Sequence, residues 1–165
     1  MSSDFINLLE RLVKAGVDFV VVGGFAGIAH GCTFVTQDID ICCDFDPENL
    51  LRLQKALSGL NPVHRMTPKR KKLELNETNT GQFKNLYLDT DIGQLDCIGF
   101  VAGIGDYSQV KQASEQVQMQ NIEIHILGID ALIKAKQAMN RPRDKQAVLQ
   151  LEAIKKLKKE KPNRR

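Results

Sequence analysis

Two short stretches decide how this chain folds: residues 20–31 read VVVGGFAGIAHG, and residues 36–41 read TQDIDI. The first predicts a buried apolar strand, a glycine turn and a short helix. The second predicts another strand, because isoleucines alternate in it with Asp38 and Asp40. Strand side chains alternate between two faces, so both acids point the same way while the isoleucines point into the protein.

Asp38 and Asp40 form a candidate metal clamp on the second strand. Two positions on one face of a strand lie about 7 Å apart, so both carboxylates can share one hard divalent cation or a pair of them. Mg²⁺ prefers such oxygen ligands and completes its octahedron with water and substrate phosphate. The alternative is a solvated strand edge, where an Asp-x-Asp pattern occurs without a metal.

Gly23 and Gly24 supply the complementary half of such a site. Glycines between a strand and a helix leave backbone N–H groups and the positive helix end facing outward with no side chain in the way. A phosphate group fits there, although a Gly-Gly pair by itself is usually only a turn. Together with the acids, the glycines provide the minimum apparatus for phosphoryl or nucleotidyl transfer, which depends on positioning and charge neutralisation.

This conjunction resembles the signature of the DNA polymerase beta nucleotidyltransferase superfamily. That signature is a hydrophobic residue, Gly, and Gly or Ser, then a spacer of about the present length, then Asp, hydrophobic, Asp or Glu, hydrophobic. Thirteen residues separate Gly24 from Asp38 in this chain. The resemblance implies an α/β (α+β) nucleotidyltransferase fold, in which a mixed central β-sheet is flanked by helices.

The longer pattern is similar to that of the small bacterial and archaeal members of minimal-nucleotidyltransferase or AbiEii type. Those proteins carry a His-Gly pair after the glycines and a Thr before the acids, and His30, Gly31 and Thr36 fit. They usually carry Arg before the Thr, where this chain has Phe34. If that arginine contacts nucleotide in the relatives, Phe34 alters the substrate or the activity of this chain.

A third acid comes from a predicted hairpin over 84–89 and 94–99, turned at Gly93. The superfamily places its third carboxylate on a strand beside the first pair, flanked by hydrophobic residues, and Asp96 matches that pattern. The resemblance implies that Asp96 completes the catalytic metal site near the attacking hydroxyl. Asp89 and Asp91 compete for this role, but they lie at the strand end and the turn, where Asp is common for local hydrogen-bonding reasons.

Two segments near the end of the chain also resemble the small nucleotidyltransferases: ALIK, which ends at Lys134, and RPRD, which runs from Arg141 to Asp144. We expect Lys134, Arg141 and Asp144 to form the nucleotide-binding group. Lys134 and Arg141 are seven residues apart, so on one helix they share a face and reach a triphosphate together. Alternatively, Lys134 pairs with Asp130 one turn earlier, and Asp144 is a first-turn acid favoured by the helix dipole.

The remaining elements follow from periodicity and from turn residues. Helices are predicted up to Lys14 and over 47–58, 106–111, 129–139 and 143–159, and strands over 17–22, 63–66, 73–75, 115–118 and 122–127. We expect one domain over residues 1–160 and a basic tail over 161–165. The polar loop and basic run between Pro68 and Gly81 are the predicted place for acceptor contacts.

Composition narrows the class of protein. The chain has 165 residues, of which 42% are hydrophobic, and a formal charge of +3. No apolar run approaches the length of a membrane span and the N-terminus lacks a basic signal-peptide start, so we expect a cytoplasmic protein that does not enter membranes. The four cysteines have no Cys-x-x-Cys spacing, which indicates neither zinc nor disulfides.

The resemblance implies transfer of a nucleotide from an NTP to an acceptor hydroxyl, with release of pyrophosphate. The implied cofactors are two Mg²⁺ or Mn²⁺ ions, roughly 3.5–4 Å apart, held by Asp38, Asp40 and Asp96. The backbone of Gly23 and Gly24, together with Lys134, would hold the β- and γ-phosphates. Relatives modify proteins, including partner toxins, as well as tRNA ends and small molecules, and the sequence does not choose among these acceptors.

The alternative is a protein of another class: an inactive, antitoxin-like binding module that keeps the fold and neutralises a partner. Retention of all three acids argues against this reading, because gathered carboxylates are costly without a metal. A plain nucleic-acid-binding role has less support, since aromatic residues are few and no basic helix carries base-reading side chains.

Overall fold

The two stretches that carry the signature lie side by side in one sheet. The computed structural model describes residues 3–160. Within them the helices are α1 (Ser3–Lys14), α2 (Gly23–His30), α3 (Pro47–Ala56), α4 (Tyr107–Gln112), α5 (Ile129–Met139) and α6 (Pro142–Glu160). The strands are β1 (Phe19–Val22), β2 (Asp38–Cys43), β3 (Val63–His64), β4 (Asn85–Thr90), β5 (Gly93–Ile98), β6 (Phe100–Val101), β7 (Gly105–Asp106), β8 (Ser114–Met119) and β9 (Ile122–Leu127).

Seven of these strands form a mixed sheet in the order β3-β4-β5-β2-β1-β9-β8, and β6 pairs with β7 in a small separate hairpin. Neighbours in the large sheet are antiparallel except at two places, where β2 runs parallel to β5 and β1 runs parallel to β9. The predicted mixed sheet flanked by helices is confirmed. Among the described residues, no helix is both long enough and apolar enough to span a membrane.

The hydrophobic core is formed by buried residues of the sheet strands and of the apolar helix faces. All four residues of β1 are buried, as expected for a central strand covered on both faces. Helix α1 contributes Leu8, Leu9 and Leu12, which are spaced for one helical face and are fully buried. Helices α1 and α3 contact each other, and α2, α5 and α6 form a second packed group.

The predicted edge strand at 73–75 is wrong, and a polar side chain explains why. The side chain of Gln54 on α3 accepts a hydrogen bond from the Leu75 amide at 2.6 Å and donates to the Leu75 carbonyl at 3.1 Å. These bonds satisfy the backbone of Leu75, while the Leu73 amide donates to the Pro62 carbonyl at 2.9 Å beside a single bridge between Val63 and Lys72. The predicted strand at 63–66 shortens to β3, and the predicted tail at 161–165 lies outside the described residues.

One buried amide ties α3 to the two central strands. Asn49 is 1% exposed, and its Oδ1 accepts from the amide of Asp18, which precedes β1, at 2.7 Å. Its Nδ2 donates to the carbonyls of Asp18 and Asp44, at 3.1 and 2.7 Å. Since Asp44 follows β2, this side chain satisfies backbone groups at the ends of both strands that carry the signature.

We expect Asn49→Ala to lower the free energy of unfolding by about 1–3 kcal/mol, because it removes three part-buried hydrogen bonds to the backbone of Asp18 and Asp44, although the Asp18 carbonyl keeps the Asp44 amide as a donor. Urea denaturation followed by far-UV circular dichroism measures this loss. The control is Glu48→Ala, an exposed position on the same helix, which should change stability by less than about 0.5 kcal/mol. Equal stabilities for the two variants would contradict the role of Asn49.

Candidate active site

Three carboxylates meet where β2 runs parallel to β5. The register places Asp40 opposite Asp96 and Asp38 opposite Gln94. Asp38, Asp40 and Asp96 each present a carboxylate oxygen, and these oxygens lie within 4.8 Å of one another. Three hard oxygen donors this close fit a divalent cation such as Mg²⁺ or Mn²⁺.

Burial, with the charges of neighbouring acids, raises the pKa of two of the three carboxyl groups. Burial, together with the charges of Asp38 and Asp96, raises the pKa of Asp40 to about 7. Burial raises the pKa of Asp96 to about 6 even though Arg65 acts to lower it, and the charge of Asp38 adds to the rise. A cation placed among these oxygens would compensate the repulsion that the protons otherwise relieve.

Gly23 begins α2 directly beside the acids. Its φ of +68° is in the left-handed region, and a Cβ at this position would collide with the Asp40 carboxylate. Only glycine satisfies both constraints without strain. Val22, the residue before the helix, makes no side-chain cap hydrogen bond, so the first N–H groups of α2 remain available beside the carboxylates.

The second glycine gives room to the loop that leads into β2. A Cβ on Gly24 would lie 3.3 Å from Thr36 Oγ1 and 3.5 Å from the Phe34 ring. Thr36 donates through Oγ1 to the Asp38 carbonyl at 3.1 Å, which fixes the start of β2. The Phe34 ring also approaches Gly27 on α2, so the residue in place of the usual arginine packs against this helix.

His30 holds the other end of α2. Its Nε2 lies 2.8 Å from the Leu127 carbonyl at the end of β9, and the side chain is buried. Gly31 follows in the left-handed conformation, with φ of 116°, and ends the helix. The His-Gly pair of the signature therefore orients α2 and does not line the cavities beside the acids.

Three positive charges line a cavity with Asp38 and Asp40, and they come from Lys136 on α5, from Arg141 between α5 and α6, and from Arg143 on α6. The buried carboxylate of Asp144 organises two of them. Arg141 donates to it through Nε at 2.6 Å and through Nη2 at 3.2 Å, and Lys136 Nζ lies 3.6 Å away. Burial raises the pKa of Asp144, but the hydrogen bonds and charge of Arg141 outweigh it and bring the pKa below its ordinary value.

Lys134 is not brought to the acids, contrary to expectation. It is exposed and lines a shallow depression with Asp130 and Gln109. Consecutive helical residues are rotated by about 100°, so Lys136 faces the acids and Lys134 faces away from them. The predicted shared face with Arg141 is also wrong, because α5 ends at Met139 and a new helix begins at Pro142.

The alternative pairing of Lys134 with Asp130 is not found either. Asp130 pairs with Lys155 of α6 at 2.6 Å. Asp144 does stand in the first turn of a helix, as its alternative predicted, and it also supports the two cations. Of the expected nucleotide-binding group, the structure therefore brings Gly23, Gly24 and Arg141 to the acids, together with Lys136 and not Lys134, while Asp144 is bound to Arg141 and Lys136.

One solved structure with the same architecture is a crystal structure, at 1.87 Å resolution, of a Thermotoga maritima protein that is provisionally named a nucleotidyltransferase. The match covers 96% of this chain and 91% of that chain, with a TM-score of 0.51 and 15% identity. This chain has a nucleotidyltransferase-like fold. No protein-family model matches the sequence, and no curated protein matches it.

Two cavities of this nucleotidyltransferase-like fold flank the acids, with volumes of about 510 and 460 Å³. Both are lined by the same five charged side chains: Asp38, Asp40, Lys136, Arg141 and Arg143. The larger cavity adds Gly24 and polar residues of α6, such as Gln146. The smaller one adds Asp96 and a largely apolar wall that includes Tyr87 and Phe100.

Arg65 is a site residue that the sequence did not reveal. It follows β3, and its guanidinium binds Asp96 Oδ1, with Nη2 at 2.7 Å and Nη1 at 3.1 Å. The partner lies 31 residues away, and neither residue's neighbours form a motif that links them. Arg65 lies just before the basic run and loop between Pro68 and Gly81 that the sequence predicts for acceptor contacts.

We expect Asp40→Asn to stabilise the metal-free protein at pH 8 and much less at pH 5. The pKa of Asp40 is raised to about 7 from 3.8, so the folded state resists ionisation. The free-energy cost of ionising Asp40 in the folded protein is fully present above pH 7. It is lost as the pH falls toward 3.8, the ordinary pKa of Asp. The stabilisation at pH 5 should be about 2 kcal/mol smaller than at pH 8.

Thermal or urea unfolding in the presence of EDTA at both pH values measures the difference. Asp46→Asn is the control, because Asp46 is exposed and makes no side-chain cap hydrogen bond. If Asp40→Asn changes the stability by the same amount at pH 5 and at pH 8, the pKa of Asp40 is not raised in the folded protein.

Proposed function

We propose that this protein is a divalent-metal-dependent nucleotidyltransferase, which moves a nucleotide from an NTP to an acceptor hydroxyl and releases pyrophosphate. The observation that carries the proposal is the placement of three carboxylates, from two adjacent parallel strands, beside the uncapped start of α2. The likeness to the Thermotoga maritima protein supports the fold on which this reaction would run.

The carboxylates would hold the metal. Asp38 and Asp40 are the principal ligands in this proposal, and Asp96 completes the site of the ion that lies near the attacking hydroxyl. A bound Mg²⁺ or Mn²⁺ would neutralise phosphate charge and favour ionisation of the acceptor hydroxyl. Two ions are proposed for the complete reaction.

The triphosphate would lie between the start of α2 and the cations of α5 and α6. The backbone N–H groups at Gly23 and Gly24 offer hydrogen bonds and the positive helix end. Lys136 and Arg141 are held in place by Asp144, and Arg143 makes no ion pair within residues 3–160. In this arrangement Asp144 is a positioning residue, since its carboxylate is buried against the two cations.

The acceptor would enter from the side of Asp96, through the smaller cavity. Asp96 lies close to where the attacking hydroxyl would stand, and a carboxylate there can accept its proton. A protein, a tRNA end or a small molecule would each supply such a hydroxyl. The cytoplasm is the proposed location, because NTPs are supplied there.

We also propose that the protein is of the minimal-nucleotidyltransferase or AbiEii type, with a toxin as a possible acceptor or partner. The support is the His30-Gly31 pair and Thr36, which both take part in orienting the site. The basic run from Lys69 to Lys72 is exposed, as contact with an acceptor requires, although Arg70 pairs with Asp89.

Transfer of label from each α-labelled NTP to components of a cell extract, with Mg²⁺ or Mn²⁺, tests the reaction directly. We expect labelled acceptor only when the acids are intact. Replacing both Asp38 and Asp40 by Asn should reduce transfer by at least about 10²–10³-fold, as removal of transition-state charge stabilisation does elsewhere. The labelled band also reveals whether the acceptor is RNA, protein or a small molecule.

Asp91→Asn is the matched control for this experiment. Asp91 is an exposed acid in the turn between β4 and β5, where it accepts a hydrogen bond from Asn61. It should leave transfer unchanged. No transfer with any NTP, together with no metal-dependent nucleotide binding, would favour the antitoxin-like binding module over the enzyme.

Lys136→Ala should weaken NTP binding by about 10–100-fold, the loss expected for a charge-assisted contact with phosphate. Lys134→Ala removes the same side chain two residues earlier on the same helix and should leave the affinity unchanged. Isothermal titration with a non-hydrolysable NTP measures both affinities. A larger loss with Lys134→Ala than with Lys136→Ala would contradict the placement of the triphosphate.

A further inference from the structure

Asp96 already has a cation bound to it. Both terminal nitrogens of Arg65 donate to Asp96 Oδ1, and the side chains of Arg65 and Asp96 are only 18% and 12% exposed. By contrast, Asp38 and Asp40 make no ion pair within residues 3–160. The three acids of the candidate metal site are therefore unequal before any metal binds.

The backbone holds Arg65 in position for this contact. Its amide donates to the Tyr87 carbonyl on β4 at 2.8 Å. Tyr87 lies directly opposite Asp96 in the pairing of β4 with β5. The Arg65 side chain thus crosses one strand, β4, to reach the acid on β5.

Charge compensation determines how many ions such a site can hold. Three ionised carboxylates attract a pair of divalent ions more strongly than two ionised carboxylates do. Arg65 compensates the negative charge of one of the three. The charge that remains on Asp38 and Asp40 equals that of a single divalent ion. A second ion at Asp96 would meet both an occupied Oδ1 and the repulsion of the guanidinium.

We propose that Arg65 occupies the place of the second divalent ion, so that the nucleotide-free protein binds one ion, on Asp38 and Asp40. The second ion binds only after Arg65 has left Asp96. This inference rests on the metal site of the proposed function. It makes Arg65 a positioning residue that acts through Asp96, on the side where the acceptor would enter.

Mn²⁺ titration of the nucleotide-free protein tests this proposal, with free Mn²⁺ counted by electron paramagnetic resonance. We expect one bound ion per chain for the parent protein and two for Arg65→Gln. Arg65→Lys keeps the positive charge and should stay at one. Arg70→Gln is the matched control: it breaks the nearby Arg70–Asp89 pair outside the acid cluster and should also leave the count at one.

A second arm compares the affinity of the first ion in two acid variants and does not depend on Arg65→Gln folding. Asp40→Asn should weaken this affinity more than tenfold. Asp96→Asn should change it less than threefold, because Arg65 already occupies Asp96. Circular dichroism establishes that each variant is folded.

Three results would overturn the proposal: a parent protein that binds two ions or none, a folded Arg65→Gln variant that still binds one, or an Asp96→Asn loss equal to that of Asp40→Asn. The label-transfer experiment is independent of these counts. If transfer fails while the count rises from one to two, the proposed function falls and the role of Arg65 stands. If transfer succeeds and the parent protein binds two ions, the proposed function stands and the role of Arg65 falls.

Discussion

The parallel pairing of β2 with β5 is the constraint on which the rest of this structure depends. It places Asp40 opposite Asp96, so that acids 56 residues apart in sequence meet on one face of the sheet. A register shift of one residue would turn every side chain of β2 to the other face. The buried isoleucines of β2 prevent that shift, because they would become exposed. Core packing thus fixes the geometry of a site whose own charges repel, and the cations around it compensate for the repulsion.

The parts of the site that are local in sequence could be predicted from the sequence. Alternation in TQDIDI placed Asp38 and Asp40 on one face, and the glycine signature placed the start of α2 beside them. The pattern around Asp96 predicted a strand, and the structure shows that strand next to β2. Element types were also well determined where periodicity was strong, as in α1, α5, α6 and the hairpin of β8 with β9.

The errors and omissions arise where tertiary contacts decide. Lys134 was predicted from the resemblance of its segment to the small nucleotidyltransferases and from its seven-residue spacing from Arg141, whereas Asn140 adopts φ of 54° and ends α5 before Arg141. Leu75 satisfies its backbone through the Gln54 side chain and Glu74 accepts from the Asn79 side chain, contacts that strand patterns do not encode. Arg65 was missed because its role requires β3, β4 and β5 to be neighbours in that order. The cases of Leu75 and Arg65 depend on a partner distant in the chain, which single-sequence patterns do not specify.

The shared carboxylate of Asp144 has a consequence for ligand selection. Because Lys136 and Arg141 are bound to the same buried group, the separation of their charges is set when the protein folds and not when a ligand arrives. The conformational entropy of two long side chains is therefore lost in advance, which leaves more of the contact energy for binding. A fixed distance between two positive charges also makes binding selective. Anions whose negative groups have a matching spacing contact both charges, whereas single anions or anions with another spacing contact only one.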